Sequence, residues 1–371
     1  MSGRSGKLIR CLLFLYFIST SVLDGQILND TASVSLLKKG VDDIYNLRFD
    51  KAREVEQQLN HSLPGHPVIY LLNGMITYWE NYPLIPSSPP SVLYESDMRN
   101  CIRICEETHN DLDYAEYLMS NLGARGMLLM YYADNNLSEN VIPLAKSTYH
   151  YLRQSFDYTS VFSDFYFFTG LYNYYREAYP NAHPIYKMVA FLFPKGDVTR
   201  GLNELQTAAQ NSIMLRAESL FFLSLIYTNF ENNYEEAYIS SKSLYELYPA
   251  NLQYLTGYVK SLLLVKKYNE AEALIRSSKT VMGNSYFQAQ LSILNGILQE
   301  KEYHNNTEAK KLYNKGIADI SGFGYYGNEF AAYANFGLSR IFDSEGDKRN
   351  RKMYRKRALD LTDYKKINFD E

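Results

Sequence analysis

One interval constrains this chain more than any other feature. Residues 233–241 read NYEEAYISS and residues 267–275 read KYNEAEALI, so Tyr234 and Ala237 are echoed thirty-four positions later by Tyr268 and Ala271. The same aromatic-x-x-Ala pair stands at Phe49 and Ala52. An alanine lets two helices cross closely, and an aromatic three residues earlier packs on the same face near the turn. Pro64 and Pro249 follow twelve residues after Ala52 and Ala237, while Gly283 closes the third unit. Either residue stops a helix there. A helix pair cannot bury its apolar face alone, so copies at a fixed period must stack.

The rest of the chain agrees. Apolar residues recur at i, i+3, i+4 and i+7, as in 35–47 (Leu36, Leu37, Val41, Ile44, Leu47) and 48–59 (Phe49, Ala52, Val55, Leu59), and no useful run alternates with period two. This spacing predicts about seventeen helices between Thr31 and Thr362, joined mostly by short loops. A chain of 371 residues exceeds what one compact core usually holds, so an elongated array or two domains is expected. Hydrophobic residues at 46% and charged residues at 21% suit a folded protein, and a net charge of −3 argues against nucleic acid as a partner. The 35 Tyr beside 19 Phe fit packing, recognition or both.

Together these units resemble the tetratricopeptide-repeat family. The clearest matches are residues 33–64, 214–249 and 252–283, with weaker units from 284 onward and at 191–209, where Gly201 takes the small-residue place. The resemblance implies an all-α fold, a right-handed superhelical solenoid of antiparallel helix hairpins over residues 26–371. It also implies a concave face that holds another protein or peptide. By family position the groove candidates are Gln253, Thr256, Lys260, Phe287 and Gln290. Lys260 stands alone there, so the paired-lysine clamp for a carboxylate is not supported. HPVIY at 66–70 and HPIY at 183–186 form a second echo, read as helix starts with proline in the first turn.

The N-terminus reads as an address. Arg4, Lys7 and Arg10 precede the apolar run CLLFLYFI (11–18), which at eight residues is too short to span a bilayer and suits a secretory signal over residues 1–25. Cleavage is expected after Gly25 or after Ser21; an uncleaved anchor is the alternative. An exported Tyr- and Asn-rich repeat protein resembles those of Gram-negative bacteria such as the Bacteroidetes group. That implies the periplasm, with secretion or peripheral association with the envelope as alternatives. Removal of the signal leaves two cysteines, Cys101 and Cys105, too few for a disulfide framework.

Motifs that carry chemistry are sparse. Cys101, Cys105 and His109 share one helical stripe, but i and i+8 lie about 12 Å apart, too far for one ion. They are expected to be packed side chains. GFGYYG (322–327) satisfies GxGxxG without the preceding strand that a dinucleotide site requires, and is expected to be an aromatic-bearing loop. No GxSxG or HExxH occurs, so neither catalysis nor a cofactor is expected. Residues 149–191 are dense in aromatics, with Tyr166, Tyr172 and Tyr175 as candidates for a cleft that holds glycan or a small molecule. Asp164 and Glu177, thirteen residues apart or about 20 Å along a helix, cannot pair as acid and base. Seven cations crowd 348–357, expected to be a solvating cap or an anionic contact. The leading expectation is a non-catalytic binding scaffold, the alternatives being a carbohydrate- or small-molecule-handling protein and a structural assembly subunit.

Overall fold

The computed structural model describes residues 27–28, 30–107, 114–182, 193–278, 283–362 and 369. Among these the regular structure is helical, with no strand. The helices pair in chain order: α1 (Thr31–Tyr45) with α2 (Phe49–Ser62), α3 (Pro67–Glu80) with α4 (Pro89–Glu107), and α5 (Tyr114–Asp134) with α6 (Ser138–Ser155). Next, α7 (Phe165–Ala182) pairs with α8 (Val198–Asn211), and α9 (Arg216–Ile226) with α10 (Tyr234–Leu247). Then α11 (Leu252–Leu264) pairs with α12 (Tyr268–Ser278), α13 (Ser285–Lys301) with α14 (Asn306–Ile320), and α15 (Asn328–Ser344) with α16 (Lys348–Leu361). First helices also pack on the first helices of neighbouring pairs: α1 on α3, α3 on α5, α11 on α13 and α13 on α15. This all-helical arrangement of adjacent pairs is consistent with a helical repeat. No described helix is long and apolar enough to cross a membrane.

The echoed motif falls at one place in three pairs. Phe49, Tyr234 and Tyr268 open α2, α10 and α12, and Ala52, Ala237 and Ala271 are buried one turn later. Gly201 does the same work in α8, where a Cβ would sit 2.6 Å from the Tyr174 backbone nitrogen.

Six of the turns inside the pairs share one backbone device. Leu47, Asn136, Asn232, Lys266, His304 and Gly346 all have positive φ, between 51° and 78°. In four of them the next residue donates five positions back: Arg48 to Asp43, Leu137 to Tyr132, Lys267 to Leu262 and Asp347 to Phe342. This is the Schellman ending, which satisfies carbonyls at the close of the first helix. The residue after the left-handed one then stands at the start of the second helix, and Asn233, Asn305 and Asp347 cap it with their side chains. His66 caps α3 by accepting from Val68 N at 3.2 Å, with Pro67 at the first helical position. His183 lies outside the described residues.

Early pairs also meet late ones. The Tyr45 hydroxyl donates to Glu218, the Tyr248 hydroxyl donates to Asp42 at 3.1 Å, and Asn251 donates to the Tyr45 carbonyl at 3.2 Å. Asn284 donates to the Tyr82 carbonyl at 3.0 Å, and Asn135 to the Tyr326 hydroxyl at 3.3 Å. Rings join these bonds into a seam: Trp79 packs on Tyr45, Tyr82 and Tyr254, and Tyr82 packs in turn on Tyr286, Phe287 and Tyr326. Edge and offset ring contacts of this kind add to the large area that aromatics bury.

Candidate functional site

The groove candidates come together, but inside the molecule rather than along an open channel. Gln253, Thr256 and Lys260 share one face of α11 at i, i+3 and i+7. Gln253 is half-buried, whereas Thr256 and Lys260 are buried. Phe287 and Gln290, on α13, are buried as well. Phe287 stacks on Tyr82, with centroids 5.8 Å apart and planes at 18°. At Phe287 the position that the family resemblance assigns to the groove is filled by this ring contact.

Lys260 is paired with an acid. Its ammonium donates to Glu329 Oε1 at 2.9 Å, and the Tyr333 hydroxyl donates to the same oxygen at 2.5 Å. Burial pushes the Glu329 carboxyl up, but the Lys260 charge and the two hydrogen bonds outweigh it and hold the group below its ordinary value. The Glu329 side chain nonetheless keeps 42% of its surface in reach of water. The Tyr286 hydroxyl donates to the Tyr326 carbonyl at 2.9 Å, and the buried Gln290 leaves its amide oxygen with no partner.

Asp134, at the end of α5, faces the same tyrosines. Burial raises its carboxyl to about 7; burial likewise raises the hydroxyls of Tyr78, Tyr82, Tyr94, Tyr286 and Tyr326, to which the Asp134 charge adds a smaller push. Glu218, at the far end of the seam, is raised to about 8 by burial, and its second oxygen has no partner. Sequence reasoning missed Glu329, Asp134 and Tyr82, because nothing in their local spacing marks them as inward-facing.

The aromatic segment is core. Phe165, Phe167, Phe168 and Tyr174 are buried on α7. Tyr166, Tyr172 and Tyr175 are half-buried; Tyr172 and Tyr175 share a face at i and i+3, and Tyr166 lies on another. The Tyr172 hydroxyl donates to the Pro194 carbonyl at 2.7 Å, and Tyr175 packs on Phe230. Asp164 accepts from the backbone N–H of Ile213, Met214 and Leu215, which fixes the chain before α9. Glu177 accepts from Gly196 N at 3.0 Å. Neither acid addresses a cleft.

Cys101 and Cys105 are free and buried, and Cys101 packs its thiol against the Ser120 carbonyl at 3.5 Å. His109 lies outside the described residues, and no group of metal-ligating side chains is found among them. GFGYYG forms a 3-10 stretch between α14 and α15 that sends Phe323 and Tyr326 onto Tyr286. No family model, no curated protein and no solved structure matches the chain.

Proposed function

We propose that the chain is a non-catalytic binding scaffold, a right-handed superhelix of helix hairpins whose first helices form the inner wall. In this reading a segment of another protein, or a peptide, engages the wall at Gln253 and Glu329, which remain partly exposed. The observation that carries it is the Glu329 carboxylate, which Lys260 and Tyr333 hold below its ordinary value while 42% of the side chain stays in reach of water. A hydrogen bond from a ligand N–H to a charged group contributes about 1.5–3 kcal/mol. The signal-like run at residues 1–25 supports a cell-envelope setting for this reading. The test is affinity capture from native envelope extract on immobilised wild-type chain and on a Gln253→Glu variant. Gln253 is half-buried at the start of its helix, so the fold should hold. One protein retained by the wild type and lost from the variant is the expected result. Identical or empty eluates would overturn the reading.

A further inference from the structure

We infer that α16 is a docking surface for an anionic lipid bilayer, lying flat against the headgroups. Its sequence, KRNRKMYRKRALDL, holds seven cations and one acid in a chain whose net charge is −3. Positive charge is therefore concentrated on this element. The helix meets the rest of the protein along a narrow line: Ala358 is buried, Asn350, Tyr354 and Leu361 are half-buried, and every other residue is exposed. Tyr354 stacks on Phe342 with centroids 5.4 Å apart, which anchors that line.

Cations near the line are engaged. Arg351 pairs with Asp343 at 3.3 Å, Arg355 lies over the Phe336 ring and Arg357 over Tyr354. The outward cations are not: Lys348, Lys352 and Lys356 make no ion pair with any described residue. At i, i+4 and i+8 they form one stripe. Leu359 lies within that stripe at 49% exposed, and Met353 lies beside it at 37%. Asp360 is the one carboxylate of the helix, and Asp347 is occupied in capping it through Asn350.

This pattern suits lipid better than other anions. Single apolar side chains scattered among lysines can enter the acyl boundary while the ammonium groups reach up to phosphate. A protein partner of similar area is usually met by a contiguous apolar centre. Single-stranded nucleic acid is usually met by exposed rings for stacking, and the outward face has none. A helix of 14 residues is about 21 Å long, enough to touch several headgroups at once.

The test is sedimentation of the full chain with vesicles of phosphatidylcholine alone and with 30% phosphatidylglycerol, at low and high salt. Wild-type chain should bind the anionic vesicles and not the neutral ones, and lose most binding at high salt. The Lys348→Glu/Lys352→Glu/Lys356→Glu variant should bind at least about a hundred-fold more weakly while keeping its circular dichroism. Met353→Ser/Leu359→Ser should bind several-fold more weakly with all its charges in place. Equal binding to both vesicles, no binding at low salt, or an unaffected charge variant would overturn the inference. So would equal affinity for an acidic polypeptide or for DNA.

Discussion

At the scale of single residues, burial raises two carboxyl groups beside the seam. Glu218 rises from an ordinary 4.5 to about 8, and Asp134 from 3.8 to about 7. A raised carboxyl contributes stability that is fully present below its unfolded value and is lost as pH climbs through its folded one. The urea midpoint should therefore fall between pH 5 and pH 8.5. Glu218→Gln should remove part of that fall and raise stability at pH 8.5 by on the order of 2 kcal/mol. An unchanged slope in the variant would contradict the assignment. Tyr313 offers a packing test. A Cβ at Gly296 would meet its ring at 2.7 Å, and one at Gly337 at 2.3 Å, so the ring lies between two bare helix backbones. Gly337→Ala gains helix propensity but overpacks, and should lower stability by about 1–3 kcal/mol in urea melts. Such residues were the least legible from sequence. The acid partner of Lys260, Glu329, could not be foreseen because it lies 69 positions away on another pair. Spacing tells which residues share a helix face, not which distant face they meet.

At the scale of elements, most of the architecture was legible, and the reason is periodicity. Apolar spacing and the aromatic-x-x-Ala pair located α1, α2, α10, α11 and α12 nearly in place. The common turn was not visible, because its left-handed residue is Leu, Asn, Lys, His or Gly in different pairs. The last four of these turns are spaced 34, 38 and 42 residues apart, so the exact period appears once and then drifts. A non-glycine side chain in that conformation is strained by about 1–2 kcal/mol. Lys266→Gly should recover part of this and raise the thermal midpoint, whereas Gly346→Ala should lower it; movement in the opposite directions would exclude the shared turn. The caps give a graded comparison. Asn251 caps α11 through Gln253 N and Tyr254 N and also holds the Tyr45 carbonyl. Asn251→Ala should cost about 1–2 kcal/mol, more than the same change at the exposed cap Asn233.

For the whole molecule, the telling contacts join residues some two hundred positions apart, such as Tyr82 with Tyr286, Phe287 and Tyr326. A simple stack of repeats touches only neighbours and melts piecewise. Here early and late pairs share one aromatic seam, so they should unfold together. No sequence signal announced the seam, since tyrosine richness fits an exposed groove as well as a packed interior. The most direct test is hydrogen exchange by mass spectrometry on the wild-type chain and on Tyr82→Ala. The seam predicts slow exchange over 252–264 and 285–298 in the wild type, and faster exchange in those same segments once the Tyr82 ring is gone. Changes confined to 78–94, with α11 and α13 untouched, would contradict it.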